Sequence, residues 1–93
     1  MEDSEKVSQL KKIMYNDYPL IPSYMYEGVI NYILYRVEPG DFLSAIIKND
    51  LKGAVNLADD DNIRALAAYV RFFYNHTPAD CWGGEDKFNA WVA

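Results

Sequence analysis

Ninety-three residues suffice for one domain with one modest hydrophobic core, not for two. Hydrophobic residues make up 51% and aromatics 15% of the chain, which excludes disorder over most of its length. The formal charge of −5, from 14 acids against 9 bases, leaves no basic face and excludes a reader of duplex nucleic acid.

Glu2, Asp3 and Glu5 lie in the first five residues, so the acidity is partly a property of the tail. DNA mimicry would require a dense acidic array, and only Asp59-Asp60-Asp61 approaches one. Cys81 is the only cysteine, so neither an intrachain disulfide nor a Cys-rich metal site is expected, and a reducing, cytoplasmic setting fits best. The N-terminus is acidic and lacks an apolar run, so no secretory signal is expected. No window approaches the roughly 18 apolar residues that span a bilayer. The compositional oddity is eight tyrosines. Tyrosine suits interfaces and stacking sites, but it also serves as amphipathic filler in a small core.

In chain order, Met1 to Glu5 is expected to fray. Val7, Leu10, Ile13 and Met14 then form one apolar stripe on a first helix, with Ser4 as a candidate N-cap. Pro19 and Pro22 stop this helix and impose an extended connector. The second helix, about Ser23 to Val37, carries Met25, Tyr26, Val29, Ile30, Ile33, Leu34 and Val37 on one broad face. Tyr24, Tyr32 and Tyr35 gather on the other side. Such a helix is either central and buried, or its tyrosine side meets another subunit or a ligand; the small size of the core favours the second reading.

Glu38-Pro39-Gly40 reads as a turn and Asp41 as the cap of a third helix with Phe42, Leu43, Ala45, Ile46 and Ile47. Asn49 and Asp50 follow at its C-terminal end, where a carboxylate opposes the helix dipole, so Asp50 is expected to cap or bond something. Leu51 to Ala58 is small and apolar, and Gly53 marks either a close approach or a break. Asp59, Asp60 and Asp61 are explained as the start of a helix running to about Asn75, since no EF-hand register follows them. That helix carries an apolar stripe at Ile63, Leu66, Ala67, Val70 and Tyr74. Arg64 and Arg71, seven residues apart, would lie about 20° from each other around a continuous helix. They would either clamp a phosphate or carboxylate or form a solvated edge. After a proline-broken loop, Cys81-Trp82-Gly83-Gly84 leads to a last short helix with Phe88, Trp91 and Val92 on one side. Trp82 is a stacking platform or a latch on the core. The plan is an all-α bundle of five to six short helices in a single domain, residues 1–93.

A nucleophilic site would need a base beside Cys81 or a serine, and the only histidine, His76, lies five residues away across a proline turn. No phosphate loop, dinucleotide fingerprint or spaced carboxylate pair occurs. A non-enzyme with no cofactor and no metal site is expected.

Gly40-Asp41-Phe42-Leu43, Asn49-Asp50-Leu51, Ala58-Asp59 with Asn62, Tyr74-Asn75, Pro78 and Trp82-Gly83 through to Trp91 resemble a widespread group of short phage and prophage proteins. The match spans about Ile21 to Val92. This resemblance implies an all-α fold and a place among small phage proteins that counter bacterial defence, including oligomeric sponges that bind cyclic nucleotide signals, as in CBASS inhibition. On that reading the protein is a homo-oligomer that sequesters a cyclic nucleotide without cleaving it. Tyr32, Tyr35 and Trp82 would stack on bases, Arg64 and Arg71 would meet phosphates, and Asn49 would read a base edge or brace the site. The alternative is a protein-binding inhibitor of a host defence complex, anti-CRISPR-like, or a phage accessory protein.

Overall fold

The computed structural model describes residues 2–93, with side chains from residue 4. Among them are seven α-helices: α1 (Glu2–Asp17), α2 (Tyr26–Tyr35), α3 (Asp41–Ile47), α4 (Leu51–Leu57), α5 (Asp60–Arg64), α6 (Leu66–His76) and α7 (Glu85–Val92). Single 3₁₀ turns at Ser23–Met25 and Ala79–Cys81 precede α2 and α7. No strand occurs among the described residues, and the fold is an all-α bundle. The radius of gyration, 12.3 Å, equals the value of about 12 Å for a compact chain of this length.

The bundle is assembled around α3. From Phe42 to Ile47 every residue is apolar except Ser44, and a helix apolar all round must lie inside. All six are buried, and Ser44 Oγ donates to the Pro39 carbonyl at 3.2 Å. Helices α4, α6 and α7 pack on α3, while α1 packs on α2. The α1 stripe faces inward as its spacing predicts, with Met14 fully buried and Leu10 nearly so.

Three local expectations are corrected. Ser4 lies inside α1, which begins at Glu2, so it is not the N-cap; Met1, part of the segment expected to fray, lies outside the described residues. Asp41 is the first residue of α3 behind Gly40 and makes no capping bond, although its charge still favours the helix dipole there. The helix expected from Asp61 to Asn75 is broken at Ala65 (φ −95°, ψ 2°), whose amide bonds back three residues to Asn62. This break raises the count above the expected five or six.

The break also bears on which side of α6 enters the core. Ala65, Tyr69, Phe72 and Phe73 are fully buried. The apolar stripe found by periodicity points outward instead, with Ile63 38%, Val70 46% and Tyr74 77% exposed. Both faces are apolar, and the one carrying three aromatic rings removes more surface from water.

Candidate functional site

Tyr32 is a core residue, not a stacking platform. It is fully buried, its hydroxyl donates to the Cys81 carbonyl at 2.6 Å, and its ring stacks on Phe88 at 5.8 Å between centroids. Its own carbonyl accepts from Trp91 Nε1 at 2.8 Å. Burial pushes the phenol well above the ordinary range, which keeps it neutral and a donor. The three tyrosines expected on one side of the second helix are therefore split: Tyr32 binds α7 into the core and Tyr35 on α2 is 48% exposed, whereas Tyr24 lies in the 3₁₀ turn before α2 and is 58% exposed.

Asn49 and Asp50 have a structural explanation. Asn49 takes φ 64°, the left-handed conformation just past the end of α3. Its amide bonds the Ile46 carbonyl at 3.1 Å and the Asp50 amide bonds the Ala45 carbonyl at 2.8 Å, the paired pattern of a Schellman terminus. Asparagine tolerates that conformation better than most residues. Asp50 then caps α4, accepting from the Gly53 amide at 3.0 Å, as its awkward place after α3 predicts. A Cβ on Gly53 would lie 2.3 Å from Asp50 Oδ2, so the close approach this glycine permits is that of the capping carboxylate.

Arg64 and Arg71 do not share a straight helix, because α5 and α6 are separated at Ala65. Arg64 is held by Asp61 at 3.2 Å, with both groups largely exposed. Arg71 is exposed on α6. Trp82 is half-buried with its ring tilted 6.0 Å from Phe73, the latch arrangement. Its neighbours Gly83 (φ 98°) and Gly84 bring both amides to the Ile47 carbonyl, at 2.8 and 3.2 Å. They thereby satisfy an orphan acceptor at the end of α3. The six expected ligand residues thus do not converge within one chain.

The pairing of aromatic ring and guanidinium that those residues were expected to supply occurs elsewhere. Arg36, just past α2 in the left-handed conformation (φ 59°), sets its guanidinium carbon 4.0 Å from the centre of the Trp91 ring. Together with Lys87, Asp80, Asp86 and Ala90 they line an open hollow of about 420 Å³. Sequence order conceals this group, because Arg36 and Trp91 are far apart in the chain. The one available signal was Trp91 on the last amphipathic helix.

A second polar group joins distant segments. Tyr24 donates to Asp59 Oδ2 at 2.5 Å, Asp59 Oδ1 accepts from the Asn62 amide at 2.7 Å, and Tyr69 donates to Asn62 Oδ1 at 2.6 Å. Asp59 is thus the N-cap of α5, as the acidic run predicts. The bond to Asp59, followed by desolvation, pushes the Tyr24 phenol up to about 12, and the same bond with the Asn62 amide holds the Asp59 carboxyl below its usual range. Cys81 is fully buried, and burial pushes its thiol up, the opposite of an activated nucleophile. His76 makes aromatic contacts with Tyr18 and Phe72. No cluster of three metal-ligating side chains is found among the described residues, and no helix there is long and apolar enough to cross a membrane.

Searches against protein-family models, curated proteins and solved structures match nothing to this chain.

Proposed function

We propose that this protein is a non-catalytic binding protein that sequesters a planar, anionic ligand of the cyclic nucleotide class and acts as a homo-oligomer. The observation that carries the reading is the Arg36 guanidinium stacked on Trp91 beside Lys87, at the edge of an open hollow of about 420 Å³. A guanidinium and an indole face offer a base a stacking partner and a phosphate a fork of donors, and the volume falls within the range of small-molecule sites. With the resemblance to short phage proteins as its support, the reading makes such sequestration a counter-defence activity in the cytoplasm of the host. Calorimetry against cyclic di- and trinucleotides tests it. The expected result is binding by the natural chain that weakens at least tenfold in Arg36→Ala; no heat at high protein concentration refutes it. Ligand recovered intact from the denatured complex distinguishes sequestration from hydrolysis.

The second reading is a protein-binding inhibitor, and Asp80 and Asp86 in the same hollow favour it, since they oppose an anion. One stoichiometric host protein retained by the immobilised chain, with no nucleotide heat, would select this reading.

A further inference from the structure

We infer that the outward face of α4 and α6 is covered by a second copy of this chain, with Tyr74 of each protomer seated in a hollow of the other. The hollow, about 190 Å³, lies where α3, α4 and α6 meet, floored by the small buried side chains Ala45 and Ala54 and bordered by the exposed Ala67. A cavity of about 150 Å³ accommodates benzene, so this one is large enough for a phenol ring. Tyr74 does not fill it in its own chain. It stands one helical turn beyond the lining residue Val70 and is 77% exposed. A projecting ring and a ring-sized hollow one turn apart on the same face form a self-complementary patch, which a twofold axis near Val70 closes into a dimer.

Area and charge agree with this occupant. Leu51 (70% exposed), Val55 (44%), Val70 (46%) and Tyr74 (77%) belong to this face. They would form the apolar centre of a contact of standard size, roughly 800 Å² on each partner and about 57% apolar. Asp50 borders the hollow, and its Oδ1 alone is engaged by the Gly53 amide. Arg71 follows Val70 and makes no ion pair among the described residues. The same twofold that seats Tyr74 brings Arg71 of one copy towards Asp50 of the other, a complementary pair on each side. Exposed tyrosine entering a pocket is also the residue type that dominates such contacts.

This inference goes beyond the ligand assigned above: the hollow of Arg36 and Trp91 lies apart from it and shares no lining residue with it. Sedimentation velocity across a series from low to high micromolar concentration tests it. The natural chain is expected to sediment as a dimer at the upper concentrations. Tyr74→Ala, at a largely exposed site and so expected to leave the circular dichroism unchanged, is expected to weaken association at least thirtyfold. Ala67→Glu, which places a charge and added bulk at the border of the hollow, provides a second probe with the ring retained and should have a similar effect. A monomer throughout overturns the inference, as does an oligomer that both substitutions leave unchanged. A dimer that gives no heat with nucleotides leaves this interface standing and removes sequestration; a monomer that binds nucleotide does the reverse.

Discussion

Asn49 occupies a backbone conformation that costs most side-chain-bearing residues about 1–2 kcal/mol, and it does so to end α3 rather than to read a base. Asn49→Gly should therefore raise stability by up to about 1 kcal/mol, and Asn49→Val should lower it by about 2 kcal/mol. Urea unfolding measures both. A ligand role would instead appear as lost binding in the glycine variant. At Tyr24 and Asp59 the coupling is to pH. The Asp59 carboxyl is depressed in the folded chain, so its contribution is present above about 3.8 and lost as pH falls through the lower folded value. The Tyr24 phenol is raised, so its contribution is complete below 10.0 and lost as pH rises through about 12. The stability difference between the natural chain and Tyr24→Phe is accordingly expected to be flat from about pH 5 to 9 and to shrink on both sides. A difference that is constant from pH 3 to 12 would show that the bond does not form in solution.

At the scale of elements, the α3–α4 corner combines two devices in consecutive residues, a left-handed helix end at Asn49 and a helix start at Asp50. Gly53 belongs to the second, since a methyl group there would collide with the capping carboxylate. The corner predicts a sign change. Asp50→Ala should cost about 1 kcal/mol through the lost cap. Gly53→Ala alone should be neutral or destabilising, because its gain in helix propensity is offset by displacement of the cap. In the Asp50→Ala background the same substitution should stabilise by up to about 1 kcal/mol. A four-member denaturation cycle measures this coupling, and additive effects would show that the carboxylate is not on the helix end. The break between α5 and α6 has a related origin. Asp59 starts one helix on its own cap, and the buried Ala65 and Tyr69 fix the direction of the next by packing.

Over the whole molecule, Phe42 to Ile47 of α3 are buried, and the C-terminal segment is connected to the middle of the chain through backbone acceptors. Ile47 receives the Gly83 and Gly84 amides, Cys81 receives the Tyr32 hydroxyl, and Tyr32 receives the Trp91 indole. The C-terminal third is thus part of the same core. Cys81 reports on it: its thiol is fully buried and held neutral, so a thiol reagent reaches it only through opening of the bundle. Labelling is expected to be slower than in urea by on the order of 10³-fold or more, consistent with stabilities of about 5 kcal/mol and above. It should accelerate in Asn49→Val in proportion to the lost stability. Rapid labelling of the native chain would show that the α7 region detaches independently.

The all-α class, the core face of α1, the extents of α3 and α4 to within about a residue and the capping role of Asp59 were legible in the sequence, because each is set by local composition and periodicity or by a side chain bonding an amide three residues away. Tertiary structure decided the remainder. Tyr32 and Tyr35 look alike in sequence, but one lies under α7 and the other faces solvent. Arg64 and Arg71 would share a stripe only on an unbroken helix, and packing of Ala65 breaks it. Two apolar faces of α6 competed for the core, and the one with Tyr69, Phe72 and Phe73 entered because it buries more surface, leaving Val70 and Tyr74 outside. The Arg36–Trp91 pair joins the middle of the chain to its C-terminal helix, and no spacing rule reaches that far. Local bonding fixes where helices start and stop; which of their faces meet depends on how the whole core fills its volume.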